Sequence, residues 1–288
     1  MQSYSCVIFS FRYTSAVKIF CDVDNIFRLI SSFPLKKLTF LVFTGEPRFP
    51  FKKLKSLVLS GESIFPADGL RVFSQNITTL TSLTCSINFL YKNDLLLIAD
   101  CFPLLKELNI EINNPIFQCQ TNFKNGTHSL LSKRQLVNNR TDFINEIHSL
   151  LSNCRFIQHL NLECTFFLND THVAGFSLFL GDLVSINLNH CSRLTESAVF
   201  SLVRNCPSLS EIKMQNTAIG TESVENSDVY PQLKSLYLGR NFWLSNENII
   251  RLASFFPNLQ LLDLYSNNNI SEGICQVFRR CDKIKHLN

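Results

Sequence analysis

At 288 residues, with 45% hydrophobic and 17% charged residues, the chain is long enough for a large core and too apolar for disorder. Its net charge of +4 comes from 27 basic and 23 acidic residues spread along the chain, so no Lys/Arg run marks a nucleic-acid surface. No apolar run approaches the ~18 residues of a membrane span, and the start, MQSYSCVIFSF, lacks the basic and long apolar regions of a signal peptide.

An odd count of eleven cysteines behind no signal peptide implies a reduced, intracellular protein, cytoplasmic or nuclear. The Asn-x-Ser/Thr sequons at Asn76, Asn125, Asn139, Asn169 and Asn269 carry no meaning in such a compartment.

In chain order, residues 1–53 show only short, irregular repeat-like segments, Ala16/Ile19/Cys21 and Leu35/Leu38/Phe40, spaced 19 residues apart. From residue 54 to 288 the apolar pattern L-x-x-L-x-L recurs in a steady register. It appears at Leu54/Leu57/Leu59, Leu80/Leu83/Cys85, Leu105/Leu108/Ile110, Ile157/Leu160/Leu162 and Leu183/Ile186/Leu188. It continues at Leu209/Ile212/Met214, Leu233/Leu236/Leu238, Leu259/Leu262/Leu264 and, cut short, Ile284/Leu287. The central residues are 24 to 26 apart except for one gap of 52, twice 26. A degenerate repeat with Arg134 at its centre fits that gap, behind a polar stretch from Gln118 to His128, so the irregular region spans about 115–140.

Such a register predicts one continuous solenoid of short parallel strands. Alternate strand residues point inward, and a return segment covers the other side. Four return segments read as helices: Asp170 to Leu180, Thr195 to Asn205, Ser245 to Phe256 and Ser271 to Arg280. Each opens on a residue type that caps helix N-termini, and Pro207, Pro231 and Pro257 bar continuation into the next strand.

The stretch Ile186-Asn-Leu-Asn-His-Cys-Ser-Arg-Leu-Thr-Glu-Ser-Ala-Val199 resembles the cysteine-containing leucine-rich repeat of F-box/leucine-rich-repeat proteins. The segments Phe65-Pro-Ala-Asp-Gly-Leu-Arg-Val-Phe-Ser and Ile77-Thr-Thr-Leu-Thr-Ser-Leu-Thr-Cys are similar to a plant branch of that family. The resemblance implies an α/β horseshoe with ribonuclease-inhibitor-like curvature, a parallel sheet on the concave face and helices on the convex face. It also implies a role as substrate receptor of an SCF-type ubiquitin ligase, in which an F-box docks a Skp-type adaptor and the repeats hold the target. Residues 1–34 carry no Leu-Pro F-box opening, and the last strand pattern stops at Asn288. The expectation is a partial family member: a truncated product, a fragment, or a receptor without its adaptor module. A Skp-type partner then requires an F-box upstream. The alternative is a stand-alone repeat scaffold in signalling or immunity.

The cysteines read as packing. Cys154, Cys206 and Cys281 share a repeat slot with Phe102, Leu180, Tyr230 and Phe256, and free cysteine behaves there as a small hydrophobe. Cys191 shares a turn slot with Thr165, Thr217, Asn241 and Asn267, whose side chains suit backbone groups left open at a strand end. No paired C-x2-4-C occurs, and His190 beside Cys191 is a poor nucleophile–base pair because strand neighbours point to opposite sides. Metal, cofactor and catalytic residues are therefore all expected to be none.

Function should sit on outward strand residues. These are Glu107, Asn109 and Glu111; His159, Asn161 and Glu163; Asn187; Glu211 and Lys213; Tyr237; and Asp263 with Tyr265. Arg240 and Trp243, the only tryptophan, follow at a strand exit. Tyr, Trp and Arg are enriched in interface hot spots. A patch centred on Tyr237, Arg240, Trp243, Asp263 and Tyr265, extended by the acidic rows, is the expected contact with a target protein.

Overall fold

Period-two alternation decides the strands. In the computed structural model the described residues are 6–12, 14–20, 55–61, 71, 74, 80–87, 93–111, 143–221 and 228–288. The chain divides into two units, Met1–Ile157 and Gln158–Asn288.

In the second unit, β6 (His159–Asn161), β7 (Ser185–Asn187), β8 (Glu211–Lys213), β9 (Ser235–Tyr237), β10 (Leu261–Asp263) and β11 (His286–Leu287) each pair in parallel with the next. Leu160, Ile186, Ile212, Leu236, Leu262 and Leu287 stand in one register. The first five are buried, while their strand neighbours stay half-exposed or exposed except Asp263. At each strand start a single carbonyl takes two amides of the next repeat: Gln158 O accepts from Val184 and Ser185, and Val184 O from Ser210 and Glu211. The same bifurcated rung recurs at Ser210, Lys234 and Gln260, so the backbone itself sets the repeat register.

The return helices are α2 (Asp170–Ser177), α3 (Glu196–Asn205), α4 (Asn246–Phe255) and α5 (Gly273–Arg280). Thr195 caps α3 by accepting from Ser197 N at 3.2 Å, and Ser245 caps α4 in a reciprocal box with Asn248. Two expected caps differ. Asn169, not Asp170, caps α2, and the Asp170 carboxylate instead accepts from Thr195 N and Oγ1 at 2.9 and 2.8 Å. Ser271 does not cap α5, where Asn246 Oδ1 of the preceding helix accepts from Ser271 N and Gly273 N. The causes differ: at α2 the preceding Asn169 forms a local box with His172 and frees Asp170 for the next repeat, whereas at α5 an amide one repeat away takes the place of a local cap.

The first unit contains β1 (Cys6–Arg12), β2 (Thr14–Phe20), β3 (Ser56–Gly61), β4 (Ser82–Ile87), α1 (Asp94–Cys101) and β5 (Glu107–Glu111). A further helix covers residues 143–153. β3, β4 and β5 pair in parallel with Leu57, Leu83 and Leu108 in register, and β1 joins β3 in parallel. Ala16 and Ile19 lie on β2, the antiparallel arm of a hairpin with β1 rather than a parallel repeat strand. The segment at Leu35, the polar stretch after Gln118 and the degenerate repeat at Arg134 lie outside the described residues.

Parallel strands in one register with helical returns make this an α/β leucine-rich-repeat solenoid fold. Cys154, Cys206 and Cys281 are buried in their common slot, and each thiol donates to a backbone carbonyl earlier in the chain, of Phe102, Ser177 and Ala253 respectively. Burial pushes the Cys154 and Cys206 thiols up to about 12 and Cys281 to about 11, which keeps them neutral at physiological pH. No helix among the described residues is long and apolar enough to cross a membrane.

Candidate functional site

Strands β6 to β10 leave the sheet through the same turn. Cys164, His190, Asn216, Arg240 and Ser266 all take positive φ between 54° and 63°. Left-handed backbone costs a non-glycine residue about 1–2 kcal/mol. The conformation is held because each of the first four amides donates to the next repeat: Cys164 N to Asn189 O, His190 N to Gln215 O, Asn216 N to Gly239 O and Arg240 N to Tyr265 O. One residue later comes the turn slot. Cys191 Sγ reaches back to Leu162 O at 3.4 Å, Asn241 Nδ2 to Met214 O at 2.8 Å and Asn267 Nδ2 to Leu238 O at 2.9 Å. Thiol and amide do the same work, capping a carbonyl that the preceding strand leaves open.

On this frame the outward residues form a largely self-compensated polar row. Asn187 Nδ2 donates to Glu163 Oε2 at 3.1 Å, and His190 Nε2 lies 3.9 Å from the same carboxylate. Ser185 Oγ donates to Glu211 Oε1 at 2.7 Å, and Lys213 Nζ stands 3.3 Å from that oxygen while lying 5.3 Å from the Tyr237 ring centre. The acidic lean read from the sequence is thus balanced inside the row. His159 is exposed and Asn161 half-buried, its amide oxygen accepting from Glu163 N. Glu107, Asn109 and Glu111 lie on β5 in the first unit, apart in sequence from the rest.

Asp263 departs from its expected place in the contact patch. It is only 9% exposed, and its carboxylate accepts from Gln215 Nε2 at 2.7 Å, Tyr265 N at 3.0 Å and Asn288 Nδ2 at 3.1 Å. Gln215 reaches it across an intervening repeat. That reach needs the space above Gly239, where an added Cβ would come 3.3 Å from Gln215 Nε2 and 3.1 Å from Tyr265 O. Gly239→Val is expected to displace Gln215, leave the buried Asp263 short of a donor and cost about 1–3 kcal/mol in urea unfolding. If the effect runs through that bond, the loss combines non-additively with Gln215→Ala; fully additive losses would show another cause.

What remains exposed is aromatic. Trp243 is 67% exposed, Phe242 59% and Tyr265 52%, with Tyr237 half-buried beside them in the sheet. Arg240 is exposed, and its guanidinium carbon lies 5.8 Å from the Tyr265 ring centre, within cation–π range. The turn is seated by its backbone. Asn269 Nδ2 donates to Phe242 O at 2.9 Å, and Gly220, at φ 101°, packs so closely on the Trp243 carbonyl that any Cβ there would overlap it. Glu196 Oε1 in turn holds Gly220 N at 2.7 Å. A backbone fixed on both sides leaves the two side chains outward. Phe242 was not among the sequence candidates. Phe167 occupies the slot equivalent to Trp243 and is buried, so the slot gives no signal of exposure.

Among the described residues, no group of three His, Cys, Asp or Glu side chains could hold a metal ion. No protein-family model matches the chain. Solved structures similar to it include a chain from the Toll–Spätzle complex of Drosophila, 12% identical over 81% of this chain and 26% of that one, with a TM-score of 0.47. The Rad7 and Elc1 complex of yeast contains another, 17% identical over 77% and 72%, at 0.35. A protein from Bacteroides fragilis is 13% identical over 83% and 66%, at 0.40. This chain therefore spans about a quarter of the Toll-complex chain, 26% of its length.

Proposed function

We propose that this is a non-enzymatic protein-binding repeat domain that holds a target protein on the outward face of the second unit. The observation that carries this reading is that Phe242, Trp243 and Tyr265 are each more than half exposed, with Arg240 two residues before Phe242 and over the Tyr265 ring. Exposed aromatic clusters of this kind cost solubility and mark interaction surfaces. The half-buried Tyr237 and Lys213, with His159, Asn161, Glu163, Asn187 and Glu211, make the polar surround. Asp263 supports the surface from beneath.

The finer reading rests on the resemblance of residues 186–199 to the repeats of plant F-box/leucine-rich-repeat proteins. In it, the domain is the target-recognition part of an SCF-type ubiquitin ligase receptor in the cytoplasm or nucleus. Quantitative capture from extract, with wild-type chain against Tyr237→Ala plus Tyr265→Ala, tests the binding reading. At least one protein should be lost selectively by the double variant, and an unchanged set would sink it. Co-capture of a Skp-type adaptor would favour the ligase role; target capture without adaptor would favour a stand-alone scaffold.

A further inference from the structure

The Arg240–Trp243 turn combines exposed aromatic surface with an uncompensated cation. In the second unit the outward charged groups Glu163, Glu211, Lys213 and Asp263 each have a partner. Lys213 is paired with Glu211, which also takes Ser185; Glu163 is met by Asn187 and His190; Asp263 is met by Gln215, Tyr265 N and Asn288. Arg240 has no carboxylate within 4.0 Å among the described residues and rests only on the Tyr265 ring. Its guanidinium presents a planar fork of donors suited to a carboxylate, and the neighbouring Phe242 and Trp243 present apolar area.

We propose that this turn docks a short acidic segment of a partner protein, with one Asp or Glu on Arg240 and an adjacent aromatic or leucine side chain on Phe242 and Trp243. The proposal rests on the protein-binding reading above and adds the chemistry of what is bound. Charge complementarity favours a single carboxylate over a polyanion. One cation is available here, whereas Glu163 and Glu211 along the same row would repel a continuous run of phosphates, so a nucleic acid gains aromatic stacking but little of the backbone neutralisation that drives its binding. Basic segments would meet Arg240 as a like charge.

The test is selection of a random peptide-display library on the full chain. Synthetic versions of the enriched peptides are then titrated by fluorescence anisotropy against wild type, Trp243→Ser and Arg240→Glu, with a single-stranded oligonucleotide titrated in parallel. Both substitutions fall on exposed side chains, and thermal melts verify that the variants fold. Enriched peptides should carry Asp or Glu within a few residues of an aromatic or leucine. Each variant should weaken them about tenfold or more, and Arg240→Glu should regain affinity for peptides in which Lys replaces the acid. Peptides that need Trp243 but are basic or uncharged, an oligonucleotide that outcompetes them, or a selection that enriches nothing would overturn the acidic-segment proposal alone. Peptides indifferent to Trp243→Ser and to the Tyr237/Tyr265 pair would remove the protein-binding reading as well.

Discussion

Phe256→Ala is expected to destabilise the second unit by about 3–5 kcal/mol, read as a lower urea midpoint at unchanged m-value. Phe256 is fully buried at the C-cap of α4. Its ring centre lies 6.5 Å from Phe200 in a stacked arrangement, 6.3 Å from Tyr230 and 6.5 Å from Phe255. Phe200 and Phe255 meet edge-on at 5.1 Å, so four rings from three successive repeats fill one volume. Truncation removes the transfer energy of a phenyl ring and leaves a cavity that its aromatic neighbours are too rigid to close. The slot holds cysteine at 206 and 281, which shows that its volume is set locally by what packs against it. A loss below about 1 kcal/mol would mean that the cluster collapses freely and is not a jigsaw core.

Asn241→Ala is expected to cost about 2–4 kcal/mol, with no change at the protein surface. Asn241 is fully buried in the turn slot. Its Oδ1 accepts from Thr217 N at 2.7 Å and Thr217 Oγ1 at 2.9 Å, while Nδ2 donates to Met214 O at 2.8 Å and Leu238 O at 3.0 Å. Alanine leaves Thr217 N without its partner and takes one of two donors from each of Met214 O and Leu238 O, which keep Thr217 Oγ1 and Asn267 Nδ2; the loss of a partner in a dry interior costs about 1 kcal/mol or more. Because Asn241 stands between Arg240 and Phe242, the variant should also loosen residues 240–243 in hydrogen exchange. An unfolding midpoint within error of wild type would show that water or rearrangement satisfies these groups.

The strand ladder was legible because one residue in two must be apolar, and a register held across successive repeats leaves few other folds. The cysteines were legible for the same reason: a slot shared by Cys154, Leu180, Tyr230 and Phe256 can only be apolar packing. The helix starts were less so. Asp170 and Ser271 are good capping types, but Asn169, one residue earlier, takes the first end, and Asn246, one repeat away, takes the second, which local pattern cannot see. The left-handed turn column has no such signal in the sequence. Of Cys164, His190, Asn216, Arg240 and Ser266, few are residue types strongly favoured there, and the conformation is held by inter-repeat bonds.

At the candidate site, outward placement of Tyr237 and Tyr265 followed from strand alternation, but which side chains stay free did not. Asp263 has the sequence position of a contact residue and the environment of a structural one, because Gly239 opens a path for Gln215. Phe242 and Trp243 are held out by backbone contacts to Asn269 and Gly220, two residues from neighbouring repeats.

In the proposed binding mode, one exposed turn and the tyrosines beside it carry partner binding. Oxidative footprinting of the chain, alone and bound to a partner lost by the Tyr237/Tyr265 double variant, tests it most directly. Phe242, Trp243 and Tyr265 should be protected, with Leu178 and Phe278, exposed on the α2 and α5 returns, labelled as before. Protection of Leu178 or Phe278 with Phe242 and Trp243 unchanged would contradict it.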